Sequence, residues 1–173
     1  MALFAASLLV LQAVAAPALP ATVPCSGENH GALDFWVGEW DVYRNGSDAL
    51  VAHSTIEKLY EGCAIRETWM PLGGKPGGSL SGYDPATGRW HQTWIGSTAG
   101  VVLFEGGPAE GKLVLTGWWP GSGPNGEDGL TRMTYSRAED GAVRQLGEFS
   151  ADHGLTWGPS FDFIYRPRTP AGD

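Results

Sequence analysis

Asp84-Pro85-Ala86-Thr87-Gly88-Arg89-Trp90-His91-Gln92-Thr93-Trp94-Ile95 is the stretch that decides the fold. Pro85 fixes φ and Gly88 admits positive φ, so the first five residues read as a tight turn. The next seven alternate. Trp90, Gln92 and Trp94 share one face of an extended chain, and Arg89, His91, Thr93 and Ile95 share the other. The same unit, a turn followed by a short strand, recurs along the chain. Runs at about 35–44, 50–60, 63–71, 78–84, 89–96, 100–105, 111–119, 130–137, 142–150 and 157–166 read as strands. Glu61-Gly62, Gly106-Gly107-Pro108 and Glu139-Asp140-Gly141 supply further turns. Apolar spacing of three and four is absent, so no helix is expected beyond one turn within His30 to Asp34.

Short hairpins in series force antiparallel neighbours, because a parallel pair needs a crossover of about a dozen residues. A meander of this size leaves two long edges exposed unless it closes on itself. The expected fold class is therefore all-β: a single antiparallel up-and-down meander closed into a barrel of about 8–10 strands. The irregular, polar, Gly-rich piece from Pro120 to Gly129 is expected as a mobile loop at one mouth.

Composition agrees. The 173 residues suit one ordinary domain. With 42% hydrophobic residues, including 8 Trp, 6 Phe and 5 Tyr, the chain can bury enough apolar surface to offset its ordering entropy. A formal charge of −8 and 11 scattered Lys and Arg exclude a nucleic-acid partner, which needs basic residues clustered on one face.

No charged side chain precedes Glu28, and Ala2 to Ala16 are apolar or small. This run is too short to span a bilayer and fits the apolar core of a secretory leader. The expected organisation is a signal peptide at 1–21, an N-terminal extension at 22–32, the barrel at 33–168 and a tail at 169–173. After cleavage the protein is expected to be periplasmic or secreted, free of the membrane, and a monomer or homodimer. In an oxidising compartment, Cys25 and Cys63 are expected to form a disulfide.

Within Leu33-Asp34-Phe35-Trp36-Val37-Gly38-Glu39-Trp40-Asp41-Val42, Gly38-x-Trp40 resembles the Gly-x-Trp signature of calycin barrels, the lipocalins and their relatives. Further resemblance lies in Gly62-Cys63-Ala64-Ile65-x-Glu67-x-Trp69, in Gly88-Arg89-Trp90-His91-Gln92-x-Trp94 and in Val143-Arg144-Gln145. Together these segments look like a family of exported bacterial proteins known only as a domain of unknown function, with a calycin- or nitrobindin-like barrel. The resemblance covers about Leu33 to Arg166. It implies that Trp40 closes the barrel floor and that Arg166, from the last strand, packs across it by a cation–π contact. A bulky aromatic commonly stands two positions after the residue matching Gln145. Gly147 occupies that place here, which is expected to widen or reshape the cavity.

Ser150-x-Asp152-x-Gly154-x-Thr156-Trp157 matches the Asp-box of sialidases and other β proteins at every fixed position. Asp152 is expected to bond backbone amides, Gly154 to take the left-handed conformation and Trp157 to pack beneath the turn. One box on so short a chain builds a hairpin, not a glycosidase propeller.

The candidate ligand-binding residues are Arg66, Glu67, Trp69, His91, Trp94, Arg132, Gln145 and Glu148. They fit a cavity holding a small hydrophobic or aromatic molecule, with a few polar groups fixing its orientation. One alternative is an isomerase- or cyclase-like enzyme in which His91 and Glu67 exchange protons with a small metabolite, stabilised by Arg66 or Arg132. A second is haem binding, which needs an inward axial His. The residues imply no cofactor and no metal-ligand set.

Overall fold

In a computed structural model of the chain, residues 25–168 are described. The expected leader at 1–21 and tail at 169–173 lie outside them. The ten strands are β1 (Gly38–Arg44), β2 (Leu50–Leu59), β3 (Ala64–Pro71), β4 (Gly77–Asp84), β5 (Arg89–Gly96), β6 (Val102–Ala109), β7 (Lys112–Trp119), β8 (Gly129–Arg137), β9 (Val143–Ser150) and β10 (Gly158–Pro167). Each pairs antiparallel with its successor, and β1 pairs with β10 to close the barrel. The all-β meander expected from the hairpin series is what the chain forms, with ten strands at closure.

The largest departure in strand bounds is at β6. Gly106-Gly107-Pro108 lies inside this strand, and the turn is Glu110-Gly111, at φ 51° and 73°. Positive φ at both central residues gives the twist a two-residue hairpin requires. Pro108 pairs with Leu113 on one side, beyond the last rung that β6 shares with β5, so its missing N–H removes nothing from a ladder.

One end of the barrel is plugged. A single 3₁₀ turn (Asp34–Trp36) precedes β1 and sends Leu33 and Trp36 into the core. Trp40 is buried beside them, and its Nε1 donates to the Trp36 carbonyl at 2.9 Å. Trp36 packs against Tyr135 and Tyr165, at 4.8 and 5.8 Å between ring centroids. The Trp90 Nε1 donates to the Asn29 carbonyl at 2.9 Å, tying the incoming segment to β5. Cys25 and Cys63 form the disulfide that pins this segment to the β2–β3 hairpin. Truncating a tryptophan in such a plug to Ala costs about 3–5 kcal/mol through lost burial and the void left behind.

Arg166 does not cross Trp40. It pairs with Asp41, one register step from Trp40, so its side chain leaves the sheet on the opposite face. There its guanidinium lies 4.4 Å over the Tyr43 ring, and Nη1 sits 3.4 Å from Asp48. Tyr165 takes the place beside Trp40 instead, edge-on at 6.3 Å.

The Asp-box forms the β9–β10 hairpin. Asp152 Oδ1 accepts the Thr156 amide at 2.9 Å and Oδ2 accepts its hydroxyl at 2.6 Å, while Ser150 Oγ accepts the Gly154 amide at 2.8 Å. The two bonds from Thr156, with one that the Ser150 hydroxyl donates to Asp152 Oδ1 at 2.7 Å, hold the Asp152 carboxyl down at about 2. Gly154 has φ +90°, and Trp157 packs under the Arg132 guanidinium on the outer wall at 4.2 Å.

Replacing both cysteines, Cys25→Ser with Cys63→Ser, removes a cross-link spanning 38 residues. We expect urea unfolding monitored by tryptophan fluorescence to show a loss of about 3–4 kcal/mol with a folded barrel retained. An unchanged unfolding midpoint refutes this.

Candidate functional site

Strand directions sort the hairpins to two ends. The N-terminal plug and the turns at 60–63, 85–88, 110–111 and 138–142 occupy one end. The loops 45–49, 72–76, 97–101, 120–128 and 151–157 frame the other. The loop expected to be mobile, 120–128, is tied by bonds of its own: the Gly121 amide to Asp128 Oδ1 at 2.8 Å, and the Gly123 amide to the Glu127 carbonyl at 2.9 Å.

Between the ends lies a cavity of about 170 Å³. Its deeper half is polar and fully enclosed by Glu67, Gln92, Tyr135, Gln145 and Tyr165, with Met133 and Phe104 among them. Its outer half is an aromatic collar of Trp69, Trp94, Trp119, Phe161 and Phe163, all partly exposed toward the mouth. The collar rings pack in two groups. Trp94 meets Trp119 at 6.3 Å, Phe161 stacks on Phe163 at 5.2 Å, and Phe163 meets Trp69 at 5.8 Å.

Gln145 organises the floor. Its Oε1 accepts the Tyr165 hydroxyl at 2.7 Å and its Nε2 donates to the Tyr135 hydroxyl at 3.0 Å. Gln92 Nε2 donates to Ser81 at 3.0 Å. Glu67 receives one bond, from Ser79 Oγ at 2.9 Å, and is 6% exposed. No Lys, Arg or His lines the cavity among the described residues. Burial therefore dominates, and it pushes the Glu67 carboxyl up to about 7, with the Ser79 bond opposing only in part. The same burial, reinforced by the neighbouring carboxylate, holds the Tyr135 and Tyr165 hydroxyls neutral, their pKa values raised above the usual phenol range.

The structure divides the eight candidate binding residues. Glu67, Trp69, Trp94 and Gln145 face the cavity. Arg66, His91, Arg132 and Glu148 face outward, and the reason is the two-residue period: a residue adjacent to an inward neighbour must point away. Arg66 bonds Glu57 on the outer wall at 2.6 Å, and Arg132 pairs with Glu148 at 2.9 Å. His91 is exposed, 3.4 Å from the Thr87 hydroxyl, on the outer surface of β5. The His91–Glu67 acid/base pair is thus not assembled, and Arg66 and Arg132 lie on the wrong side of the wall to stabilise charge in the cavity. Haem binding loses its axial ligand as well. His53 bonds Asp41 outside at 2.6 Å, His153 stacks on Trp118, and His30 packs against Tyr83 near the plug.

Sequence reasoning missed Gln92, Phe104, Trp119, Met133, Tyr135, Phe161, Phe163 and Tyr165. Gln92 was within reach, since it shares a face with Trp90 and Trp94. Gly147 does not widen the cavity. It pairs with Phe161, and the Phe161 ring lies over it so closely that an added methyl group would collide with the ring. An aromatic ring from the neighbouring strand fills the space above Gly147.

No protein-family model matches the chain, and no curated relative matches its sequence.

Two outcomes follow. A carboxyl whose pKa rises on folding binds its proton more tightly in the folded state. Its stabilising effect is complete below the ordinary value of 4.5, fades as pH rises toward about 7 and is gone above that. Urea unfolding of wild type and Glu67→Gln should therefore diverge across this window, with the variant more stable at pH 8 by up to about 3 kcal/mol. Parallel pH profiles would refute it. Gly147→Ala should displace Phe161, costing about 1–3 kcal/mol and altering the near-ultraviolet circular dichroism; an unaltered spectrum and stability count against it.

Proposed function

We propose that this protein is an exported binding protein whose barrel holds a small molecule of about one aromatic ring. The observation that carries the reading is the cavity itself, open at one end, enclosed at the other and walled mainly by aromatic side chains. An apolar cavity of about 150 Å³ accommodates benzene, so 170 Å³ suits a single ring with a short substituent. A porphyrin or a long folded lipid is far larger. The polar floor fixes orientation and the collar supplies contact area.

Export is supported by the Cys25–Cys63 bridge, which an oxidising compartment maintains, and by the apolar run before Glu28. No helix among the described residues is long and apolar enough to cross a membrane. Kinship with exported calycin-like barrels is supported by Gly38-x-Trp40 at the plugged end of a closed meander.

The test is a size-graded panel against the purified protein, read by thermal shift and tryptophan quenching. Phenol, p-cresol and indole should raise the melting temperature and quench fluorescence, and retinol and palmitate should do neither. A panel with no member that shifts either signal overturns the reading.

A further inference from the structure

We propose that the occupant of this cavity is a small organic cation, an arylalkylamine or a compact quaternary ammonium, held with its nitrogen at Glu67 and its ring or alkyl groups against Trp69, Trp94 and Trp119. The inference rests on the binding function proposed above and names the chemistry of its ligand.

The distribution of charge carries the argument. Outside the cavity, five carboxylates have cationic partners within salt-bridge distance: Asp34 with Lys58, Glu57 with Arg66, Glu105 with Arg89, Glu148 with Arg132 and Asp162 with Arg144. These are the places where water would screen a lone charge at little cost. Among the described residues Glu67 is the deeply buried carboxyl, and its one side-chain hydrogen-bond partner there is the Ser79 hydroxyl. A buried carboxylate without a counter-ion is strongly disfavoured, and a cation from outside offsets part of that penalty. The mouthward walls complete the site, since indole faces attract cations more strongly than other aromatic side chains do. Three tryptophans and one acid line the same cavity, and a neutral ring would leave the acid's charge unmatched. The net charge of −8 adds a long-range field that draws cations toward the barrel.

The ammonium ion binds as it arrives, and no bond is made or broken. Glu67 must be ionised to receive it. The groups facing Glu67 across the cavity are Ser79 of β4, Gln92 of β5, Tyr135 of β8, Gln145 of β9 and Tyr165 of β10. Neither tyrosine ionises near neutrality, so Glu67 alone sets the pH response.

Calorimetry with phenethylamine, phenyltrimethylammonium and the neutral 2-phenylethanol tests the proposal. At pH 8 both cations should bind at least about tenfold more tightly than the alcohol, a difference of about 1.4 kcal/mol. Phenyltrimethylammonium carries a permanent charge, and its affinity should fall about tenfold from pH 8 to pH 6, while that of the alcohol stays level. Glu67→Gln should abolish the preference for cations and keep the alcohol. The pH profile of the wild-type protein tests the same point if that variant does not fold. Binding of the alcohol with no preference for either cation overturns the cation proposal and leaves the binding function standing. Failure of all three to bind overturns both.

Discussion

Pairing of Trp40–Arg44 with Phe163–Pro167 is the contact on which the remaining structure depends. Once the first strand meets the last, the sheet has no edge, and each side chain is committed to the lumen or to the outer wall. That commitment makes the interior demanding. A polar group placed inside by its register cannot turn to water, so it must find a partner among other inward groups. Gln145, Tyr135 and Tyr165 do this for one another, and Gln92 does it with Ser81. Glu67 is the member of the set whose charge finds no opposite.

Packing of the inner wall depends on what fills its inward positions. Gly117, Gly129 and Gly147 face inward, and each is covered by an aromatic ring from an adjacent strand: Phe104, Phe149 and Phe161 respectively. A glycine under a neighbouring ring recovers the packing that its missing side chain forfeits. Ser79 and Ser81 are small for a different reason, since they serve as hydrogen-bond partners to the floor. Size and polarity are thus graded along the bore, from a packed plug through a polar floor to an aromatic collar.

Much of this was legible in the chain before any coordinates. Turn chemistry is local, so Asp84-Pro85-Ala86-Thr87-Gly88 and the Asp-box announced their hairpins, and a series of hairpins implied closure. Gly106-Gly107 misled because glycine has two uses. Here Gly106 serves close backbone approach to Val114 and Leu115 inside a strand, while the turn falls to Glu110-Gly111. The site was harder to read. Arg66 beside Glu67, and His91 three residues from Trp94, cannot share a face with those partners, so half of the expected lining pointed outward. Chemical character alone suggested these residues, and parity would have removed them. Which face was the inner one depended on pairing across the whole sheet, information that no single strand carries.

The plugged end has a consequence for traffic. With Trp36, Trp40 and the strap from Cys25 to Cys63 sealing the base, the bore is a blind tube: whatever enters must do so head first and back out by the same door. The trailing end of a guest then always points to the medium. Under the proposed binding function, the leading few atoms of the guest meet the polar floor, and the bore of about 170 Å³ limits what can trail behind them.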